Sequence, residues 1–142
     1  MPALAAGTHA VSVGAVVLSN SKCQFTNGGP SALAFGSIDP SSTTNRTATA
    51  SVVFRCTGAA GTAVYNATSD DGLYETAVGS PRMRHAVNTT QFLKYTIDLP
   101  QSGSAPRNTN QTLTVTATVL VADFQDAIAG TYSDSVVLSI AP

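Results

Sequence analysis

The chain has 142 residues, enough for one domain with a single core. Charged residues make up 11% and the formal net charge is −1, which offers no general attraction to nucleic acid or to an anionic membrane. The seven Lys and Arg residues are scattered singly along the sequence, so no basic patch is expected. An apolar fraction of 43% excludes a disordered chain, and no apolar run is long enough to span a bilayer.

The start of the chain resembles the end of a secretory signal peptide. Ala3-Leu4-Ala5 has the pattern of a cleavage site, although the charged and apolar parts of a signal are missing. We interpret residues 1–5 as a remnant of such a signal, with an ordinary flexible start as the alternative. The charge-free apolar run at 9–19 then predicts the first strand.

Alternation of apolar and polar residues dominates the rest of the chain, and helical periodicity is almost absent. In chain order, the alternation predicts strands at 32–37, 47–56, 63–68, 91–99, 112–119 and 132–140. Residues 70–90 and 100–110 are expected to be long loops, and only 123–129 suits a helical turn. The prediction is one all-β, immunoglobulin-like sandwich of about seven strands.

Cys23 and Cys56 are the two cysteines. They have no C-x-x-C spacing and no histidine cluster near them, so metal ligation has little support. In an exported domain the expected state is one disulfide, and two buried free thiols are the alternative.

The predicted sandwich has no pairing partner for its last strand and a spare strand at its start. The sequence stops directly after a strongly alternating strand, which leaves that strand without a successor to pair with. The first 19 residues hold a spare apolar strand. This arrangement favours strand exchange between copies, in which backbone hydrogen bonds and alternate side chains hold the complex together. The alternative is an ordinary first strand that pairs within its own sandwich.

Residues suited to catalysis or metal binding form no recognisable motif. His9 and His85 lie in no metal spacing, and nucleophile, phosphate-binding and zinc motifs are absent. The Asp-Asp-Gly run at 70–72 lacks the ligand spacing of a calcium loop, so we interpret it as a turn. Asp134 falls on the predicted inward face of the last strand and is assigned no role. We predict no catalytic residue, no metal and no cofactor.

Five short pieces of the chain carry a recognisable pattern. They are Ser-Lys-Cys-Gln-Phe at 21–25, Ala-Phe-Gly-Ser-Ile-Asp-Pro at 34–40, the run at 48–58 that ends Phe-Arg-Cys-Thr-Gly, Phe-Leu-Lys-Tyr at 92–95, and Ala-Gly-Thr-Tyr-Ser-Asp-Ser-Val at 129–136. In this order, over nearly the whole chain, the pieces resemble the spore coat protein U family, the secreted pilins of archaic chaperone–usher systems. Residues 70–90 match no pattern of that family.

The resemblance implies an incomplete immunoglobulin-like sandwich that lacks its last strand. An N-terminal donor strand at 6–18 of a neighbouring subunit would complete the pilin domain at 19–142. The implied donor side chains are Val11, Val13, Ala15 and Val17. The implied acceptor groove is lined by Leu33, Phe35, Val136, Leu138 and Ile140.

The resemblance also implies partners and a location. The subunit would bind identical subunits, a periplasmic chaperone and an outer-membrane usher, and would pass through the periplasm to a cell-surface pilus that mediates attachment and biofilm formation. No nucleic acid, membrane insertion or enzymatic activity is implied. The alternatives are a secreted binding module, either carbohydrate-binding or adhesive, and a coat or matrix protein on the same fold.

Overall fold

The structure is a computed structural model that describes residues 7–17, 21–26, 32–58 and 61–142. The predicted signal remnant at 1–5 and the end of the predicted first strand at 18–19 lie outside the described residues. In chain order, the elements are β1 (Ser21–Phe25), β2 (Arg46–Gly58), β3 (Thr62–Ser69), β4 (Arg82–His85), β5 (Phe92–Lys94), β6 (Thr96–Asp98), β7 (Ser102–Pro106), β8 (Asn110–Val119), α1 (Val121–Phe124), β9 (Tyr132–Ser133) and β10 (Leu138–Ala141).

The largest sheet is built around the two long strands β2 and β8. They pair antiparallel, with Ala50 opposite Val115 and Val52 opposite Leu113. Their apolar side chains face the interior and their threonines face outward, an alternation that suits a half-buried strand. β1 and β6 complete this sheet in the order β1-β2-β8-β6.

Two three-stranded sheets lie beside the large one, in the orders β10-β3-β7 and β5-β4-β9. The single helix of the described residues is the one-turn α1, which begins two residues before the predicted helical turn. The predicted all-β class is therefore confirmed.

The buried side chains form two separate clusters. The first, here called the disulfide cluster, consists of Cys23, Phe54, Cys56, Ala63, Ala67, Ala105 and Leu113. The second, here called the helix cluster, consists of Leu93, Tyr95, Ala117, Val119 and Phe124. β8 contributes to both clusters, which shows that they lie over different stretches of the same large sheet.

The disulfide is formed as predicted. Cys23 and Cys56 are directly opposite each other in the pairing of β1 with β2, and their sulfurs are 2.03 Å apart. Both side chains are buried beside Phe54, whose ring packs on Tyr65 at a centroid distance of 4.6 Å. The bridge therefore fastens an edge strand of the large sheet to the disulfide cluster.

Two predicted strands are each divided between two sheets. The strand predicted at 91–99 becomes β5, which pairs with β4, and β6, which pairs with β8. Buried Tyr95 marks the point where the chain changes sheets. The strand predicted at 132–140 becomes β9 and β10, which pair with β4 and β3. Alternation was correct in each case, but it does not show where a chain leaves one sheet for the next.

The predicted loops hold two strands that the sequence did not indicate. β4 lies in the loop expected at 70–90, and β7 lies in the loop expected at 100–110. The glycine and proline of β7 resemble a turn, yet Gly103 is needed because a Cβ there would come within 2.7 Å of the Tyr65 hydroxyl. β7 is an edge strand with Pro106 as its last residue, a position where the missing N–H is tolerated.

Candidate functional site

A cavity of about 420 Å³ lies over the middle of the large sheet. Its lining includes Ala50 and Val52 of β2 together with Val115 and Ala117 of β8. On β2, the inward residues on either side, Ala48 and Phe54, are buried, whereas Ala50 and Val52 are only half-buried. The centre of the inward face of β2 is thus less well covered than its two ends.

The first border of the cavity is the segment 32–38, here called the leading border. Leu33 and Phe35 line the cavity and are half-buried, while Ala34 and Gly36 are exposed. The alternation expected of a strand is present, but within the described residues this segment pairs with no strand, so the predicted strand at 32–37 is not formed. The Arg46 guanidinium donates to the Phe35 carbonyl at 3.2 Å and holds the segment in place.

A second border is the segment 134–137, here called the trailing border, which separates β9 from β10. Asp134 and Val136 line the cavity, and Val137 is exposed. This segment also belongs to no strand, although the sequence predicts one through it. Two stretches with strand-like alternation therefore border the same cavity without strand partners among the described residues.

Carboxylates bind the backbone of the trailing border where a neighbouring strand would otherwise do so. Asp70 accepts a hydrogen bond from the Val137 N–H at 2.9 Å, and the Asp70 N–H donates to the Val137 carbonyl at 3.0 Å. Asp134 in turn accepts from the Leu73 N–H at 2.9 Å. The 70–73 loop and the trailing border are thus connected by one backbone hydrogen bond and two side-chain acceptors, in place of the regular pairing of a strand.

Tyr95 brings a polar group to the cavity wall. Its hydroxyl donates to Asp134 at 2.6 Å. Burial, followed by this hydrogen bond to the carboxylate, raises the pKa of the Tyr95 hydroxyl far above its ordinary value. Gly72, at φ +78°, lies against the same carboxylate, and a Cβ at that position would overlap Asp134. The sequence analysis gave no role to Asp134, which proves to join three segments of the chain.

The structure brings together four of the five predicted groove residues. Leu33, Phe35, Val136 and Leu138 all line the cavity. Ile140, two residues further along β10 and opposite Ala67 of β3, lies outside it and packs against the disulfide cluster.

The predicted donor residues lie outside every sheet of the described structure. All of residues 7–17 are exposed and none belongs to a strand. Val11, Val13, Ala15 and Val17 share one side of the alternation; Val13 is 93% exposed, and Val16 on the other side is 85% exposed. An apolar segment with this little contact to its own domain has its whole side-chain surface available to another chain.

A second cavity of about 590 Å³ adjoins the first. The two share Leu33, Phe35, Met83 and Tyr132 as lining residues. The second cavity extends along the leading border towards the helix cluster, where Phe124 and Leu93 line it. The depression beside the leading border is thus longer than the first cavity alone.

His85 has a structural environment. Its ring is buried at the end of β4, where Nδ1 accepts from the Val87 and Asn88 N–H groups and Nε2 faces the Ala129 carbonyl at 2.8 Å. A neutral ring protonated at Nε2 satisfies all these partners. Gly130 packs so closely that a Cβ there would overlap the ring. His85 therefore joins the 86–91 turn to the chain that leads into β9.

The described residues offer no evident metal centre or membrane-spanning helix. Among them, no group of three or more His, Cys, Asp or Glu side chains is placed to hold a metal ion. No helix in the described part of the chain has the length and apolar character to cross a membrane.

Comparison with protein-family models assigns the chain to a family. The model of the Spore Coat Protein U domain matches residues 7–139. The chain belongs to this family. The predicted resemblance is confirmed, and the match includes the exposed N-terminal segment. No curated protein sequence matches this Spore Coat Protein U domain at a significant level.

Solved structures support the fold. A chain of the CsuC–CsuE chaperone–tip adhesion subunit pre-assembly complex, from the archaic chaperone–usher Csu pili of Acinetobacter baumannii, matches with a TM-score of 0.56 and 19% identity, over 85% of this chain and 39% of that one. A chain of a chaperone–tip adhesin complex of CFA/I fimbriae biogenesis matches with a TM-score of 0.54 and 9% identity, over 87% and 42%. The Spore Coat Protein U domain thus spans less than half the length of either chain.

Proposed function

We propose that this chain is a structural subunit of an archaic chaperone–usher pilus and polymerises by donor-strand complementation. Its family and its fold are those of structural pilus subunits, which are not enzymes. In the proposed polymer, the segment 7–17 of one subunit inserts between the leading and trailing borders of the next.

The observation that carries this proposal is that two segments bordering one cavity belong to no strand. Leu33 and Phe35 of the leading border and Val136 of the trailing border keep the alternation of strands, and all three line the cavity. An extended chain placed there would offer backbone N–H and C=O groups to both borders and side chains to the cavity. The under-covered residues Ala50 and Val52 lie beneath that position.

The donor segment has the matching pattern. Val11, Val13, Ala15 and Val17 would enter the cavity, while Val16 and Ser12 would face away from it. Burial of each valine contributes about 1.5–3 kcal/mol, so several together support a tight association once backbone pairing is added. Tyr95 and Asp134, which line the same cavity, would be polar neighbours of the inserted segment.

We infer the partners and the route from the same family. A subunit with an open groove needs protection before it polymerises, and both structural neighbours are chaperone complexes of pilus tip subunits. We propose a periplasmic chaperone as the first partner, an outer-membrane usher as the second, and identical subunits as the last. The finished pilus would stand on the cell surface and serve attachment and biofilm formation.

The test compares two valines on opposite sides of the donor segment. Val13→Asp places a charge on the groove-facing side, and Val16→Asp places the same charge on the other side. In unboiled SDS gels of the purified full chain, we expect a ladder of oligomers from the parent and from Val16→Asp, and a monomer from Val13→Asp. A burial cost for an unpaired carboxylate of several kcal/mol explains the difference.

The contrary result is equally clear. If both valine variants form ladders, or both lose them, the alternation of the segment does not govern association. If the parent is monomeric and deletion of residues 1–18 unfolds it, the segment is an internal strand and the proposal fails.

A further inference from the structure

Three of the seven cationic side chains share one face of the paired strands β4 and β5, although they are scattered in the sequence. In the antiparallel register, Arg82 is opposite Lys94 and Arg84 is opposite Phe92. Met83 on β4 and Leu93 on β5 lie between these two pairs and point to the interior, where both line the second cavity. The side chains of the two pairs therefore lie on the outer face. This face, together with Tyr74, is here called the cationic face.

Aromatic rings hold the two guanidinium groups in fixed positions. The Arg82 guanidinium carbon is 3.6 Å from the Phe92 ring centroid, and its Nε donates to the Tyr74 carbonyl at 2.6 Å. The Arg84 guanidinium carbon is 4.5 Å from the Tyr74 ring centroid. The side chains have thus lost much of their rotational freedom before any ligand arrives, which lowers the entropy cost of binding.

The cationic face has no acidic counterpart. Within the described residues, no carboxylate forms an ion pair with Arg82, Arg84 or Lys94. Glu75 follows Tyr74 in sequence, but it interacts with Asp71; desolvation and that neighbour raise the pKa of Glu75. Because like charges directly opposite on a strand pair are destabilising, the face bears a cost that an anionic ligand would offset.

We propose that the cationic face binds carboxylate groups of an acidic polysaccharide. A guanidinium presents paired N–H donors that match a planar carboxylate, and Lys94 adds an exposed third charge. The formal net charge of the chain is −1 and the cationic face contributes +3, so the rest of the chain has a net charge of −4. A nucleic acid, with a charge every ~1.7 Å of duplex, would extend over repelling surface, whereas a sugar polymer spaces its charges by whole rings.

The test measures binding of polygalacturonate to the purified full chain, by its retardation in native gels that contain the polymer. Lys94→Gln removes an exposed charge without touching the stacked rings, and we expect about threefold weaker binding. Arg84→Gln should weaken binding about tenfold, because a charge-assisted hydrogen bond is lost. Retardation by neutral dextran is expected to be absent.

Arg55→Gln is the matched control, since Arg55 is exposed on β2, opposite Gln24 and Asn110, and β2 belongs to a different sheet from β4 and β5. Its binding should stay within about twofold of the parent, a surface-charge effect. Equal losses for Arg55→Gln and Lys94→Gln would overturn the proposal, as would absent retardation of the parent. Equal binding of single-stranded DNA of matched total charge would also overturn it, because the face would then be a general polyanion site.

Discussion

The disulfide cluster and the cavity region are two parts of one sandwich interior that differ in completeness. Over the disulfide cluster, the inward face of β2 is covered by β3 and β7, and Phe54 and Cys56 are wholly buried. Over the cavity, the same strand presents Ala50 and Val52 to a space of about 420 Å³. The strand, its alternation and its pairing with β8 continue through both regions.

The difference between the regions lies in the elements opposite the large sheet. Backbone pairing covers the disulfide cluster, since β3 bonds to both β7 and β10. At the cavity, the side chains of Arg46, Asp70 and Asp134 hold the leading and trailing borders, with one backbone hydrogen bond from the Asp70 N–H to the Val137 carbonyl. Backbone pairing is thus concentrated in one region, while two segments that border the other region belong to no strand.

Substitution of two phenylalanines, one in each region, should give the largest difference in unfolding free energy. Phe54→Ala empties a fully covered site and should lower the free energy of unfolding by about 3–5 kcal/mol. Phe35→Ala removes a ring that is only half-buried beside an existing cavity, and we expect a loss of about 1 kcal/mol. Urea unfolding of the monomeric fraction measures both values, and equal losses would show that the two regions are equally well packed.

Removal of the disulfide should have the next largest effect. Cys23 and Cys56 are 33 residues apart, and on the chain-entropy model the bridge contributes about 3.7 kcal/mol. In Cys23→Ala/Cys56→Ala, the effect of adding Phe35→Ala should be additive within about 0.5 kcal/mol, since these residues belong to different clusters. Adding Phe54→Ala should depart from additivity, because Phe54 belongs to the same cluster as the two cysteines. Additivity in both combinations, by urea unfolding, would contradict the division into two regions.

The alternation of apolar and polar residues predicted the strands around the disulfide cluster well. β2, β3 and β8 agree with the predicted strands because each is paired along its length, and the period of two then reports directly on burial. At the cavity the same signal predicted strands at 32–37 and 132–140 that are not formed or not continuous. The side-chain pattern is that of a strand, but formation of a strand depends on a partner that a single sequence does not display.

The polar contacts of the borders were beyond sequence reasoning for another reason. Asp70 was interpreted as part of a turn and Asp134 had no role, yet both bind backbone groups of segments more than 60 residues away. The cationic face was missed likewise, since only the β4–β5 register places Arg82 opposite Lys94. The apolar residues that line the cavity, such as Leu33, Phe35 and Val136, leave a local pattern of alternation in the sequence, whereas long-range polar pairing leaves none.

The smallest expected effect concerns the polar wall of the cavity. Burial and Asp134 raise the pKa of Tyr95 above its unfolded value, which is near 10. The folded state therefore retains the hydroxyl proton after the unfolded state has lost it. The contribution of this proton to the free energy of unfolding is fully present below about pH 10. It is lost progressively as the pH rises above that value, by at most about 1.4 kcal/mol per pH unit for one proton.

Tyr95→Phe removes this titration and should flatten the fall in unfolding free energy above about pH 10. Tyr65→Phe is the control, because Tyr65 packs on Phe54 in the complete region and makes no hydrogen bond to Asp134. Urea unfolding in steps of pH, on monomeric protein, compares the two slopes with that of the parent. If the slopes of Tyr95→Phe and the parent agree, the folded state does not keep the Tyr95 hydroxyl protonated beyond the unfolded state. A flattened slope for Tyr95→Phe alone would show that burial and the hydrogen bond to Asp134 together hold this hydroxyl at the cavity wall.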